Sequence, residues 1–149
     1  MTHRILAFDI SKKATGIAFW DGDLDVDSLE TVAFEDSEQW CKKIGDVIDK
    51  WNPDVITFSE TVNRMCGHPT KRVMYGLMFM LEHIAYKRHI HVIPINDTPA
   101  KHLIGVKCGK RVQIKADTFE WFYNRYHVRA TEDEIDSVSF CYYIHNTVK

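Results

Sequence analysis

The chain has 149 residues, 45% of them hydrophobic and 12% aromatic, which is enough for one well-buried core and too few for two ordinary ones. A single domain over residues 1–149 is therefore expected, without a secretory leader and without an apolar run near the ~20 residues a bilayer span needs. That predicts a soluble, intracellular, cytoplasmic protein with no membrane contact. The four cysteines, Cys41, Cys66, Cys108 and Cys141, are scattered with no Cys-x-x-Cys pair, so neither a zinc pattern nor a disulfide framework is present.

The net charge of -2 hides an asymmetry. Between Asp21 and Glu38 there are eight acids and no Lys or Arg, whereas residues 61–130 carry twelve Lys/Arg against four acids. Such a basic block suits a phosphate-backbone partner, although solvated helix faces carry similar charge.

In chain order, Arg4 to Asp9 reads as a first strand, Gly16 to Trp20 as a second after a tight polar turn, and Leu29 to Phe34 as a third. Ser37 is positioned to cap a helix in which Trp40, Ile44, Val47, Ile48 and Trp51 keep helical spacing. Asn52-Pro53 stops that helix before the buried strand Val55 to Ser59. A long helix from about Thr70 to Lys87 follows, then a strand from His91 to Ile95 and a short helix begun by Asn96 or Asp97 with Pro99 in its first turn. After a loop at 105–109, the spacing predicts a helix from Gln113 to Tyr126 with Ile114, Phe119, Phe122 and Tyr123 inward. Thr131 and Glu134 form a capping box that opens a last helix to about Thr147. Three antiparallel strands followed by alternating helices and parallel strands predict an α/β fold with a mixed five-stranded sheet and helices on both faces.

Four acids stand at element ends. Asp9 closes the first strand, Glu60 follows the strand Val55 to Ser59, and Asp133 and Asp136 lie one helical turn apart at the start of the last helix. Carboxylates converging on one point repel unless a cation sits among them, and hard oxygen donors suit Mg²⁺ or Mn²⁺ better than zinc. Two such ions some 4 Å apart are able to activate water on one side of a phosphate and stabilise the leaving oxygen on the other. Each acid alone also has a plain structural use: Asp133 at a helix dipole, Asp9 capping the Ser11 turn, Glu60 on the surface. His89 and His91 lack a third ligand nearby and make only a weak metal signal.

The opening stretch from Ile5 to Phe19, with Asp9-Ile10-Ser11 and Thr15-Gly16, resembles the first motif of the RuvC-like Holliday junction resolvases, within the ribonuclease H and integrase superfamily. Phe58-Ser59-Glu60 is similar to the strand bearing that family's second catalytic acid, and Asp133-Glu134-Ile135-Asp136-Ser137-Val138 to the start of its final helix. The resemblance spans nearly the whole chain in the family's order and suits its compact, phage-type members, in which case the compartment would be the host-cell cytoplasm. It implies a ribonuclease H-like fold and a metal-dependent endonuclease that resolves four-way and other branched DNA. Asp9, Glu60, Asp133 and Asp136 would hold two Mg²⁺ or Mn²⁺ ions for hydrolysis to 5′-phosphate and 3′-hydroxyl ends.

Looser matches follow. Ala100 to Gly105 and Lys115 to Phe119 resemble the family's two lysine-bearing segments, which implies that Lys101 meets DNA phosphate and Lys115 the reacting centre. The intervening loop, with Lys107, Lys110 and Arg111, is longer and more basic than usual, and Arg64, Lys71 and Arg72 extend the candidate DNA surface. One departure stands out. Where bacterial members often carry an aromatic wedge after the second acid, this chain has Thr61 to Cys66, with Met65 the apolar side chain able to enter a base step. Relaxed sequence preference is the expectation. The helix from Thr70 to Lys87 is apolar nearly all round, which predicts a homodimer pairing two sites.

Two alternatives come from the same and from another class. A ribonuclease H-type or structured-RNA nuclease shares these motifs. An ATP-binding actin-like or sugar-kinase fragment shares the Asp-apolar-Ser and Thr-Gly turns, but no second glycine-rich phosphate loop is present.

Overall fold

The computed structural model describes residues 3–62, 65–107 and 109–148; Asn63, Arg64 and Cys108, and so the candidate contact at Arg64, lie outside them. Its elements run β1 (Arg4–Ile10), β2 (Ala14–Asp21), β3 (Leu24–Ala33), α1 (Ser37–Trp51), β4 (Val55–Ser59), α2 (His68–Lys87), β5 (His91–Ile95), α3 (Asp97–Leu103), α4 (Arg111–Tyr126) and α5 (Glu132–Thr147). The sheet order is β3-β2-β1-β4-β5. β1 pairs antiparallel with β2 and parallel with β4, and β5 extends the parallel half. This is the mixed five-stranded sheet that the alternation of elements implies.

β1 is central and reads as a continuous apolar run because both of its faces are covered. Leu6, Phe8 and Ile10 pack with α1 and α2, including Trp40, Ile44, Leu77 and Leu81. Ile5 and Ala7 point the other way, toward Ala100 of α3, Phe122 of α4, and Val138, Cys141 and Ile144 of α5. Burying one such Ile, Leu or Phe side chain contributes about 1.5–3 kcal/mol. By the period-2 alternation of the strand, Asp9 lies on the α5 face.

Several boundaries differ from the sequence reading, each for a local reason. The α1 cap is Asp36, whose side chain accepts from the Gln39 amide at 2.8 Å, and Ser37 is the first helical residue. β3 begins at Leu24, so part of the acidic segment is an edge strand. A register shift opposite Ile17 to Phe19 accommodates it, and buried Ser28 Oγ accepts from the Phe19 amide at 2.8 Å there. Ladder pairing overrides the poor strand propensity of Asp, and charge on an exposed edge discourages a further strand from adding. α2 and α4 each start two residues early, at His68 and Arg111.

In α4, Thr118 and Phe122 are buried, whereas Phe119 and Tyr123 are each 45% exposed and stack on each other. The expected inward Phe119 and Tyr123 therefore face out; the buried stripe is only as wide as the contact with α5 requires. α2 buries Leu77, Met78, Leu81 and Ala85 and leaves Tyr75, Phe79 and Tyr86 exposed. No helix among the described residues is long and apolar enough to cross a membrane.

Candidate active site

The parallel strands β1, β4 and β5 end at one edge of the sheet, where open α/β sheets commonly place their ligand sites. Asp9 pairs across β1 and β2 with Gly16, one residue before the end of β1. Gly16 is what lets α5 reach it. A Cβ built on Gly16 would sit 2.7 Å from Asp133 Cβ and nearer still to the Asp133 backbone, so no larger residue fits without moving the helix. Ser137 Oγ ties the two elements by donating to the Gly16 carbonyl at 2.9 Å. The small residues of both motifs thus act as spacers that bring the first turn of α5 against β2, beside Asp9.

That turn is held by the capping box: Thr131 Oγ1 accepts from the Glu134 amide at 3.2 Å, and Glu134 accepts from the Thr131 amide at 3.3 Å. Glu134 also accepts from Thr31 Oγ1 at 2.6 Å, which anchors the helix start to β3. Asp133 and Asp136 then project from the same helical face.

The electrostatics show that the acids meet. Burial pushes the Asp9 carboxyl well above its ordinary range, and the charges of Asp136, Asp133 and Asp97, with a hydrogen bond to Asp133, push it further. Burial also raises Asp136, against the opposing ammonium of Lys101. Lys101 is 7% exposed and donates its Nζ to Asp136 in an ion pair. A lysine this deep is retained only beside a carboxylate.

Asp97 was not singled out from the sequence as a site residue. It occupies the first turn of α3, directly after β5, and its amide donates to Thr61 Oγ1 at 3.2 Å, tying together the ends of β4 and β5. The strand-end position that marks Asp9 also marks Asp97, where in the sequence a helix-capping role alone accounts for an acid. The cap position itself is Asn96, whose side chain makes no cap bond.

Glu60 is placed differently from the other acids. It lies one residue beyond β4, is exposed, and donates its amide to the Ile95 carbonyl at 2.9 Å. Lys115, half-buried, pairs with Glu132 at 2.9 Å. Lys107, Lys110 and Arg111 are exposed along the segment leading into α4. Arg72 and Met65 are exposed, and Lys71 is half-buried. A cavity of about 690 Å³ opens beside the cluster, shared by Lys101 and Asp136 and extending between α4 and α5 past Lys115 and Phe119.

The donor set fits a hard divalent cation: half-buried carboxylates crowded together, with Asp9 and Asp136 raised in affinity for protons, are short of positive charge, and carboxylate oxygen is the ligand that Mg²⁺ and Mn²⁺ take. Among the described residues, no three His, Cys, Asp or Glu side chains are arranged around a single point. The reason is visible in the contacts, since Asp136 is engaged by Lys101 and Asp9 by Asp133.

The mixed five-stranded sheet in the order β3-β2-β1-β4-β5, with helices on both faces, is a ribonuclease H-like fold. The structure is similar to that of Thermus thermophilus RuvC in complex with a Holliday junction substrate, with a TM-score of 0.73 at 9% identity over 97% of this chain and 96% of that one. It is also similar to the fowlpox virus resolvase in complex with Holliday junction DNA (TM-score 0.68, 17% identity, 98% and 99% covered). The yeast mitochondrial Holliday junction resolvase gives a TM-score of 0.64 at 15% identity over 95% of this chain and 77% of that one. In sequence, a Mycoplasma capricolum protein described as "Putative pre-16S rRNA nuclease" is 31% identical over 121 residues, covering 78% of this chain and 80% of that protein. No family model matches the chain. The chain belongs to the family of this relative, described as a putative pre-16S rRNA nuclease.

Proposed function

We propose that the protein is a divalent-metal-dependent endodeoxyribonuclease that resolves four-way and other branched DNA with relaxed sequence preference. The observation that supports this reading is the charge environment that Asp9, Asp133 and Asp136 share at the end of the central strand, with buried Lys101 paired to Asp136. Asp9, Asp133 and Asp136 would hold Mg²⁺ or Mn²⁺, two ions in all, with Glu60 supplying a further carboxylate from the end of β4. The ions would neutralise the phosphate and lower the pKa of water to make a nucleophile at neutral pH.

The protein's own groups do the rest. Asp9, whose carboxyl is raised by burial and by its neighbours' charges, would gain most from the positive charge of a bound cation. Lys101, held beside Asp136, would offer its ammonium to the oxygen on which negative charge develops. Lys115 stands on the wall of the same cavity and serves the neighbouring phosphate. Lys71, Arg72, Lys107, Lys110 and Arg111, with Arg64, hold the DNA backbone, and Met65, 91% exposed, is the apolar group available to a base step.

Dimerisation through α2 pairs two such sites on opposite strands. Tyr75, Phe79 and Tyr86 present a stripe of exposed aromatic surface that a second copy would cover. Phe79→Glu is expected to shift the protein from dimer to monomer in sedimentation at micromolar concentration; an unchanged dimer would place the interface elsewhere.

The Mycoplasma relative, by its description, gives specific weight to a second reading, a nuclease of structured RNA. Labelled four-way junction, RNA·DNA hybrid and structured RNA, each incubated with Mg²⁺ and with EDTA, distinguish the two. The junction should be cut in Mg²⁺ alone, leaving 5′-phosphate ends, at rates that change little when its core sequence is scrambled. Faster cutting of the hybrid or of the RNA would overturn the DNA assignment.

A further inference from the structure

The cavity beside the carboxylates extends well beyond what metal ions and a phosphate need. Its volume of about 690 Å³ falls within the range of small-molecule sites, roughly 300–1,000 Å³. Its buried floor includes Ile135, at 4% exposed, with Ile114 and Ala130 beside it. Phe119 forms part of the wall, with Arg111 and with Lys115, which is paired with Glu132 at 2.9 Å. An apolar floor and a ring face are unsuited to a phosphate, which would forfeit its hydration there. They suit a flat, partly apolar group attached to an anionic backbone.

The geometry points to an unpaired nucleobase of the bound strand, and we propose that this cavity receives the base next to the cleaved phosphodiester. The occupant follows from continuity with the cluster: Lys101 and Asp136 belong both to the cavity and to the carboxylate site, so a nucleotide whose phosphate reaches the acids carries its neighbouring base toward Phe119. The ring is presented for stacking. Phe119 lies parallel to Tyr123, with centroids 6.0 Å apart and 9° between planes, and a ring backed by another loses less freedom when a base covers it. A paired base is held in its duplex, so the site selects strands whose bases are open, as at the exchange point of a branched substrate.

This inference rests on the nuclease reading, and its test separates the two. Wild-type protein in Mg²⁺ first maps the cut phosphodiester on a four-way junction; absence of cutting would count against the nuclease reading itself. Binding is then measured by fluorescence anisotropy in EDTA, on the intact junction and on junctions with an abasic sugar on either side of that phosphodiester. Phe119→Ala should weaken binding to the intact junction by about tenfold, the scale of one base-aromatic stack, while Phe119→Trp retains it. One abasic junction should bind wild type about tenfold more weakly and bind Phe119→Ala no worse than that. Equal losses from the substitution on intact and abasic junctions, or no loss on either, would overturn the base pocket while leaving the cleavage site standing. Because Phe119 is 45% exposed, the variant should keep the wild-type melting temperature.

Discussion

Asp9→Asn should abolish junction cleavage and at the same time make the protein more stable. The loss is expected to reach about 10³-fold or more, the several kcal/mol that metal-centred charge stabilisation supplies, with junction binding in EDTA nearly unchanged. The gain comes from the same cluster. Asp9 is buried against the charges of Asp136, Asp133 and Asp97, and its carboxyl is raised well above its ordinary range. A carboxyl with a folded pKa above its unfolded one binds more protons in the native state. Stability is therefore highest at acid pH and falls as pH rises from the ordinary carboxylate range through the raised value. Asparagine carries no such charge, so at neutral pH the variant should melt higher than wild type. Mg²⁺ should raise the wild-type melting temperature by binding the native state, and raise that of Asp9→Asn much less. Thermal melts across pH, with and without Mg²⁺, read all three effects. A variant that melts lower than wild type at neutral pH would show that Asp9 is a structural anchor instead of a strained ligand. Retained cutting would refute the metal assignment.

Gly16→Ala should be more damaging than its size suggests. The added methyl meets the Asp133 main chain, not the end of a flexible side chain, so α5 has to shift away from β2. Overpacking of this kind costs about 3 kcal/mol, and the Ser137 to Gly16 hydrogen bond is stretched with it. A shift of about 1 Å at Asp133 and Asp136 would cost the reaction on the order of a hundredfold. The expected outcome is a melting temperature lower by roughly 6–12 °C and cleavage reduced even where the variant is fully folded. A melt within a degree of wild type and unchanged cleavage would mean that α5 does not depend on this contact. Ser137→Ala, which removes the hydrogen bond without adding volume, should have a smaller effect on both readouts.

These expectations differ in how much of their basis is legible in the chain. The strand order follows from apolar runs, turns and caps, because those signals are local: Val55 to Ser59 and His91 to Ile95 are bounded as observed, and the Thr131 capping box forms as its residues imply. Asp9, Asp133 and Asp136 could be selected because strand ends and helix starts are positions that carry chemistry. The role of Gly16 is not legible in this way. Thr15-Gly16 reads as turn chemistry, and only the packing of two elements 117 positions apart reveals that the missing Cβ makes room for a helix.

The distribution of charge shows the same division. That residues 61–130 are basic is a matter of counting, but only the folded chain separates buried Lys101, paired with Asp136, from exposed Lys107, Lys110 and Arg111. Phe119 and Tyr123 keep helical spacing and so read as core, yet α5 covers only the Phe122 side of α4. The sequence by itself determined the elements, their order and most of the acids, since propensity, periodicity and capping act over a few residues. The tertiary structure decided which acids share a charge environment, that Asp97 joins them while Glu60 is exposed beyond β4, and which lysine lies within the cluster. Burial and Coulomb interactions depend on distance in space, and the chain encodes that distance only through its packing.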